Sequence, residues 1–497
     1  MSELVESQAA TPAAAPRTIL GQPVGLATLF LTEMWERFTY YGIQAILILF
    51  MVAAASQGGL GLDDRTSSSI FGLFLGSTYL LGLLGGWIAD RLLGAQRAVI
   101  AGGILIAAGS ALLALGHEAS FFVGLLVNAM GVGLLKPNVS AIVASLYPEG
   151  GARRDAGFSI FYMGINVGGA LGSFFVPLAA AAFGWRVGFA LPAVFMALGV
   201  GQFLWTRSYL GAAGLQPAHE RRGSWIPVVA LLGALGLLVV LALSGALKLD
   251  AAALVAAASW GYAVLAIGYF VYLLFFAGLS PVERRRVLVM AALFIASVTF
   301  WAGYYQQGGS FNLFAERYTD RHLFGWDMPA GVLQAVNPSF VIIFAGVFAA
   351  LWIALGKRGR DPSPASKFGV ALILLGLGFL VMYFAAQRVL GGRLVLPTWL
   401  VLTYFLHTCG ELCLSPVGLS TMSKLAPSRF VGQAMGVWFL SLALGGNLAG
   451  QLTGEYDASH LESLPALFLR IFAYGVIAGA VMLLLSPVLK RMMAGVR

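Results

Sequence analysis

Residues 33–42 read Glu-Met-Trp-Glu-Arg-Phe-Thr-Tyr-Tyr-Gly and place three ionisable side chains between two apolar runs. Neither run can cross a bilayer alone, but one helix over residues 24–53 could, at ~1.5 Å per residue. Glu33, Glu36 and Arg37 would then lie near mid-membrane, where each charge costs ~2.5–3.5 kcal/mol on insertion scales. Their i, i+3, i+4 spacing places all three on one helical face, so that they can pair and face a polar interior.

Two other interpretations of this stretch are an interfacial helix with its charges at the lipid headgroups and a soluble core helix with a satisfied ion pair. Apolar residues on both sides argue against the interfacial helix. The composition argues against the soluble helix, because 59% of the 497 residues are hydrophobic and 10% are charged, whereas soluble proteins carry ~25% charged residues. We therefore predict an integral membrane protein with a functional charge cluster inside the membrane.

Apolar segments recur along the whole chain with short breaks, and their number and length leave no sensible β-barrel interpretation. They predict an all-α protein of fourteen transmembrane helices, at residues 24–53, 68–90, 96–116, 119–147, 157–181, 188–208, 226–246, 251–279, 286–314, 330–356, 367–387, 396–425, 431–453 and 465–489.

The seventh and eighth of these spans carry few polar residues at depth, so we predict that they form a lipid-facing hairpin outside any transport pathway. Removing them leaves two groups of six helices facing each other across a central cavity. The predicted domains are a disordered cytoplasmic tail, a first six-helix bundle, a linker with the extra hairpin, and a second six-helix bundle, at 1–22, 23–210, 211–284 and 285–497.

Basic residues predict the orientation. With the N-terminus inside, 20 Lys and Arg residues fall on the inner side and 8 on the outer side. By the positive-inside rule both termini are cytoplasmic. The start of the chain is rich in Ala and Pro and shows no cleavable signal peptide. Because the basic residues lie in short loops, the net charge of +9 follows from topology, and we expect no nucleic-acid partner.

Lys136 is a second candidate functional charge. It lies inside the fourth predicted span, with apolar stretches of ten or more residues on each side, and is followed by Pro137. The alternative is a lysine whose ammonium reaches the headgroups. At mid-span, Lys136 would favour the ionised forms of Glu33 and Glu36, and protonation of either carboxylate would release it.

Glu411 is the only acid of the twelfth predicted span and belongs to the second half of the chain. A negative group there would face the cationic Arg37 and Lys136 of the first half. Such a cavity suits a zwitterion, with its ammonium at Glu411 and its carboxylate at Arg37 and Lys136. The alternative is a structural pair of Glu411 with His407, four residues earlier.

Further polar and aromatic residues are candidates for the cavity wall, although each could equally join two helices. They are Tyr40, Tyr41, Tyr79, Asn166, Gln306, Asn337, Ser415, Asn447 and Trp438. Asp90 and Arg91, at a cytoplasmic helix end, favour a structural, conformation-locking role. Cys409 and Cys413 are predicted to be reduced packing residues, because two cysteines alone make no metal site. No metal or other cofactor is expected.

Two groups of motifs resemble known families. Residues 85–97, Gly-Gly-Trp-Ile-Ala-Asp-Arg-Leu-Leu-Gly-Ala-Gln-Arg, are similar to the loop signature of the major facilitator superfamily. Residues 33–41 match the ExxERFxYY motif of the proton-dependent oligopeptide transporters. Later motifs resemble that family in the expected order over nearly the whole chain: Phe300-Trp301 with Gln306, Asn337-Pro338, Gly410-Glu411-Leu412 and Ser415-Pro416.

The resemblance implies the major facilitator fold and symport of di- and tripeptides with protons across the cytoplasmic membrane. It assigns proton coupling to Glu33, Glu36 and Arg37 with Lys136, the peptide carboxylate to Arg37 and Lys136, and the peptide amine to Glu411. It also implies a binding-site wall of Tyr40, Tyr79, Asn166 and Asn337, and an extra helix pair typical of bacterial members. No histidine falls within residues 68–90, where animal members carry one, so coupling must rest on the carboxylates.

We therefore predict a proton-coupled peptide symporter that works by alternating access, without a cofactor and as a monomer in the bilayer. The rivals are a carrier of another solute such as nitrate or a drug, a membrane-embedded enzyme, and a channel. The chain carries no HExxH motif, no convincing nucleophile–base pair and no cofactor loop, which argues against the enzyme. Plant relatives that carry nitrate often lose the ExxER acids, and these are intact here.

Overall fold

The computed structural model describes residues 18–19, 21–147, 151–216, 224–244, 246–247, 250–323, 325–456 and 461–495. Within these ranges the chain is almost entirely helical. The predicted disordered tail, up to residue 17, lies outside them. So do five of the basic residues counted for orientation, which are Arg17, Arg221, Arg222, Lys248 and Arg497.

Fifteen α-helices run through the described residues. They are α1 Gly25–Val52, α2 Asp64–Ile88, α3 Ala95–Ala114, α4 Glu118–Ser145, α5 Gly151–Phe183, α6 Trp185–Thr206, α7 Ile226–Leu243, α8 Ala251–Val271, α9 Pro281–Tyr304, α10 Ser310–Tyr318, α11 Val336–Lys357, α12 Pro364–Leu390, α13 Thr398–Leu425, α14 Val431–Thr453 and α15 Ser463–Met492.

The prediction of fourteen membrane spans is confirmed by these helices. Within the described residues, twelve segments are long and apolar enough to cross a membrane, and α9 and α10 together form one of them, Pro281–Tyr318. The 28-residue α1, with its three charges, and the short apolar α7 supply the remaining two. The chain is a multi-pass membrane protein with the predicted fold of two six-helix bundles and an inserted hairpin.

Two short hairpins accompany the helices, β1 Thr18–Ile19 with β2 Gln22–Pro23 and β3 His322–Leu323 with β4 Trp326–Asp327. The first is anchored to the bundle, because Tyr147 OH donates to Gln22 Oε1 at 2.7 Å. The prediction of a disordered segment extending to residue 22 is therefore wrong for its last residues. Tyr147 and Gln22 are 125 residues apart in the sequence. No local sequence pattern could therefore have predicted this contact.

The two bundles meet along two seams. One joins α2 to α14, and the other joins α5 to α11 and to the 3₁₀ segment Ala330–Ala335. Glycines make the first seam close: a Cβ on Gly72 would lie 2.8 Å from the Cα of Gly450, and one on Gly76 would lie 2.1 Å from Asn447 Oδ1. Asn447 therefore lies in the seam, and a side chain on either glycine would force α2 and α14 apart.

The end of the molecule where α1 ends and α2 begins is closed by contacts between the bundles. Arg317 donates to both carboxylate oxygens of Asp64, each at 2.7 Å. Asp63 caps α2 by accepting from the Thr66 amide at 2.8 Å, and the Thr66 hydroxyl bond holds the pKa of Asp63 below its usual range. The cap fixes the first turn of α2 and so the position of Asp64 opposite Arg317.

The extra hairpin was predicted to face lipid, but one face of its second helix, α8, packs against the bundles. The described side chains of α7 are exposed or partly exposed, as expected for a helix facing lipid. Helix α8, by contrast, packs against both α2 and α14, and Gln451 Nε2 donates to Ser259 Oγ at 2.8 Å. Its buried face recurs at helical spacing, through Val255, Ser259, Tyr262, Ala266 and Phe270. Lipid tails are as apolar as leucine, so hydrophobicity alone does not separate a lipid-facing surface from a helix-facing one.

Candidate functional site

The predicted charge cluster lies in the middle turns of α1 and is buried. Glu33, Glu36 and Arg37 are 1%, 0% and 2% exposed. Arg37 Nη2 donates to Glu36 Oε1 at 2.6 Å and its Nε donates to Glu36 Oε2, while Nε also lies 3.4 Å from Glu33 Oε1. One guanidinium is thus shared between two carboxylates, and Glu33 Oε2 has no hydrogen-bond partner among the described residues. The burial excludes the interfacial helix.

Close packing of α5 shields this cluster. A Cβ on Gly168 would lie 2.1 Å from the carbonyl oxygen of Met34, and one on Gly172 would lie 2.1 Å from that of Phe38. These glycines therefore let α5 lie directly against the turns of α1 that carry the charges. In such a dry environment an ion pair is stronger than in water, and an unpaired charge is costly.

Lys136 faces the interior rather than a headgroup. Its Nζ lies 4.5 Å from the centroid of the Tyr79 ring, within the range of a cation–π interaction. Arg37 makes the corresponding contact with Tyr40, its Cζ lying 4.8 Å from the ring centroid. Tyr305 OH, on the second bundle, donates to Tyr79 OH at 2.8 Å. Lys136 is therefore linked through Tyr79 to the opposite bundle.

Glu411 lies in a network of neutral groups. Its Oε2 accepts from Asn337 Nδ2 at 3.3 Å and lies 2.9 Å from Tyr304 OH, which also lies 2.8 Å from Asn337 Oδ1. Asn337 Nδ2 donates in addition to Thr408 Oγ1 at 2.8 Å. His407 instead bonds the carbonyl of Leu375, at 3.1 Å from Nε2. The alternative pair of His407 with Glu411 is therefore absent, and His407 acts as a packing partner.

A cavity lies between the two bundles at this level. Its walls are Tyr40, Tyr41, Gln44, Tyr79, Trp301, Tyr304, Tyr305, Gln307, Gln334, Asn337, Pro338 and Glu411. Five of these were predicted site residues: Tyr40, Tyr41, Tyr79, Asn337 and Glu411. Arg37 and Lys136 lie directly behind the tyrosine rings of the first-bundle wall.

The other predicted site residues are not among those that line this cavity. Asn166 donates to the carbonyl of Tyr162 at 3.0 Å on α5, and Ser415 is partly exposed on α13. Trp438 is 3% exposed and packs against Gly418, where a Cβ would lie 2.1 Å from the indole. Asp90 and Arg91 lie in the π-helical turn Ala89–Leu93. The structure does not bring these five side chains together.

Gln306 lies in the interior of the second bundle. Its Nε2 donates to the carbonyl of Ala449 at 2.9 Å, and its Oε1 accepts from the hydroxyls of Ser310 at 2.7 Å and Thr453 at 2.9 Å. All of these partners belong to α10 and α14. The amide therefore joins helices within one bundle, and its neighbour Gln307 reaches the cavity instead.

Sequence reasoning missed seven cavity residues: Gln44, Trp301, Tyr304, Tyr305, Gln307, Gln334 and Pro338. Gln44 could have been found, because it follows Tyr40 and Tyr41 by four and three residues on one helical face. The others lie in the two 3₁₀ segments, Tyr305–Gln307 and Ala330–Ala335, or just outside them. A 3₁₀ turn changes which side chains share a face, and no residue here signals it in advance.

Comparison with known proteins identifies the family of this chain. The family model described as "POT family" matches residues 96–466. Peptide transporter YePEPT of Yersinia enterocolitica is 41% identical, over 98% of each chain.

Two solved structures are similar over nearly the whole chain. A mutant of peptide transporter POT in complex with alafosfalin has a TM-score of 0.89 at 40% identity and covers 96% of this chain and 97% of its own. A POT family transporter in complex with 5-aminolevulinic acid has a TM-score of 0.88 at 32% identity and covers 96% of this chain and 99% of its own. The chain belongs to the POT family of transporters.

Proposed function

We propose that this protein imports di- and tripeptides together with protons. The observation that carries the proposal is the arrangement of charge around the cavity, with Arg37 and Lys136 behind one wall and Glu411 in the opposite wall. A peptide with free termini is a zwitterion, and its carboxylate and ammonium match these two sides. Relatives described as peptide transporters support the same substrate class.

Proton coupling would arise from the shared guanidinium. While both carboxylates are ionised, Arg37 is engaged by Glu36 and Glu33. A proton arriving on either carboxylate would weaken its hold on Arg37 and leave the cation free for the peptide carboxylate. Loss of the peptide and the proton on the other side would restore the original pairs. Each charge moved across the full membrane field supplies ~2.3 kcal/mol per 100 mV.

Alternating access would use the two kinds of contact between the bundles. The Asp64–Arg317 pair and the bond from Asn312 Nδ2 to the carbonyl of Ala45, 2.9 Å long, lie on the outer side of the cavity. A peptide from outside can reach the site only after these contacts open. The glycine seam between α2 and α14 offers a smooth surface on which the bundles can rock. We propose that the outer gate is shut in this conformation.

The same proposal places the protein in the cytoplasmic membrane with both termini in the cytoplasm, as the basic loops predict. It would work as a monomer and without a cofactor, because the proton gradient supplies the driving force. The binding site needs only the cavity between the two bundles of one chain.

The test is uptake of labelled dialanine into liposomes that hold the purified protein, with and without an inward proton gradient. We expect gradient-driven accumulation above equilibrium, abolished by a protonophore and absent from protein-free liposomes. Saturable uptake that does not depend on the gradient would support the peptide site but contradict the coupling role of Glu33 and Glu36. No uptake at all would overturn the substrate assignment.

A further inference from the structure

Three glutamine side chains line the cavity without serving any role assigned above. Gln44 belongs to α1, Gln307 to the 3₁₀ turn between α9 and α10, and Gln334 to the 3₁₀ segment before α11. All three line the cavity, and they are 5%, 6% and 5% exposed. They come from both bundles, so that the cavity walls meet at these amides.

Each glutamine keeps a buried polar atom without a hydrogen-bond partner. These atoms are Gln44 Oε1, Gln307 Nε2 and Gln334 Nε2, and the indole Nε1 of Trp301 beside them is also unpaired. Buried polar groups in folded proteins are nearly always paired, because an unpaired one forfeits its hydration. Four of the unpaired groups on the cavity walls are therefore able to pair with a ligand.

The chemistry of the set defines that partner. A carboxamide carries both a hydrogen-bond donor and a hydrogen-bond acceptor. Rotating the amide by 180° exchanges the oxygen and the nitrogen, but the side chain still presents one of each. Trp301 adds a donor, and none of the four side chains carries a charge. The complementary group is neutral and both donates and accepts hydrogen bonds, as a carboxamide or a hydroxyl does.

The position of the amides indicates which part of a peptide reaches them. Gln44 follows Arg37 by seven residues along α1, which is roughly 10 Å at 1.5 Å per residue. A peptide held by its carboxylate near Arg37 and by its ammonium near Glu411 would use its backbone to join those two groups. A group that extends outward to Gln44 must then be a side chain.

We infer that Gln44, Gln307 and Gln334 form a side-chain subsite that favours peptides carrying a neutral carboxamide or hydroxyl side chain over apolar side chains of equal size. The inference rests on the proposed peptide transport. The proposed charged groups recognise only the two termini of the peptide, and the subsite would add a preference for certain side chains.

The experiment measures competition against labelled dialanine in liposomes. The competitors are matched in size: Ala-Asn against Ala-Leu, and Ala-Gln against Ala-Met. We expect the wild-type protein to bind the carboxamide peptide of each pair about fivefold more tightly, as one or two buried hydrogen bonds allow. Equal affinities within both pairs would overturn the inference without any variant.

Three isosteric variants, Gln44→Met, Gln307→Met and Gln334→Met, test which residues supply the preference. Each should lower the ratio of the two affinities about threefold or more. Gln451→Met, which removes a glutamine bonded to Ser259 outside the cavity, should not change that ratio. An unchanged ratio in all three variants would refute the subsite and leave peptide transport standing. If the wild-type protein takes up no dialanine, the proposed function fails first and the subsite falls with it.

Discussion

The two walls of the cavity hold their charges in different ways. On the first-bundle side, Glu33, Glu36 and Arg37 pair with one another within a few residues of α1. On the second-bundle side, Glu411 is the one ionisable acid of the cavity wall, and Tyr304 and Asn337 surround it with neutral hydrogen-bonding groups. We propose that the first arrangement exchanges partners when one proton arrives, whereas Glu411 has no second carboxylate beside it with which to share a cation.

From this difference we infer that the two bundles have different functions. A cluster whose members satisfy one another is sensitive to protonation, because removing one negative charge releases a cation. A lone carboxylate held by two neutral side chains offers a site for an ammonium group. Proton coupling would therefore depend on the first bundle and recognition of the peptide amine on the second, so that the two functions should be separable by mutation.

The largest effect is expected from Glu36→Gln, which removes the carboxylate that holds Arg37 by two hydrogen bonds. Gradient-driven accumulation of dialanine in liposomes should disappear, while exchange of labelled for unlabelled dialanine remains measurable. Glu118→Gln, a change at an exposed acid in the first turn of α4, is the control and should accumulate peptide normally. Full accumulation by Glu36→Gln would remove the coupling role.

A second large effect is expected from Glu411→Gln, which keeps an acceptor for Tyr304 but loses the negative charge. A hydrogen bond to a charged group contributes about 1.5–3 kcal/mol, so dialanine should bind about 10- to 100-fold more weakly. N-acetylated dialanine, which has no ammonium group, should bind the variant and the wild-type protein equally. If both peptides lose affinity alike, Glu411 has a structural role and the two walls are not specialised as described.

A moderate effect is expected at the hydrogen bond that joins the walls, Tyr305 OH to Tyr79 OH. Tyr79→Phe and Tyr305→Phe should each change the apparent affinity or turnover of dialanine uptake about two- to tenfold. The double variant should resemble either single one, because both remove the same bond. Additive effects would mean that the hydroxyls act independently.

The smallest effect is expected at the outer gate, because the Asp64 and Arg317 side chains are 16% and 25% exposed and such pairs contribute about 0.2–1 kcal/mol. A second pocket near the Asp64–Arg317 pair is lined by Ala53 and Arg317. Asp64→Asn should raise the rate at which a membrane-impermeant maleimide labels a cysteine introduced at Ala53. The charge-reversed pair Asp64→Arg with Arg317→Asp should restore the slower rate. Labelling that is unchanged in Asp64→Asn would argue against a gate.

Much of the fold could be predicted because its signals are local. Apolar length gives the spans, and the i, i+3, i+4 spacing of Glu33, Glu36 and Arg37 places them together without any tertiary information. The tyrosines and Glu411 reached the cavity as predicted because the helices around them are regular. The choice between Glu411 pairing with His407 and Glu411 facing the cavity was decided by Asn337 and Tyr304, which come from other helices.

The remaining features depend on geometry that the sequence does not express. Gln306 and Gln307 are neighbours with the same side chain, yet the 3₁₀ turn directs one into the bundle and the other into the cavity. The buried face of α8 could not be recognised because lipid and protein accept the same residues. The asymmetry between the two walls also required the structure, since it rests on which side chains share a hydrogen bond.

Proton movement driven by peptide is the most direct test of the central claim that binding at one wall is coupled to protonation at the other. Liposomes holding the protein and a trapped pH-sensitive dye would start at equal pH on both sides, with a negative interior potential, and receive external dialanine. We predict acidification of the lumen that saturates with dialanine concentration and is lost in Glu36→Gln. Saturable dialanine uptake without any acidification would contradict the account.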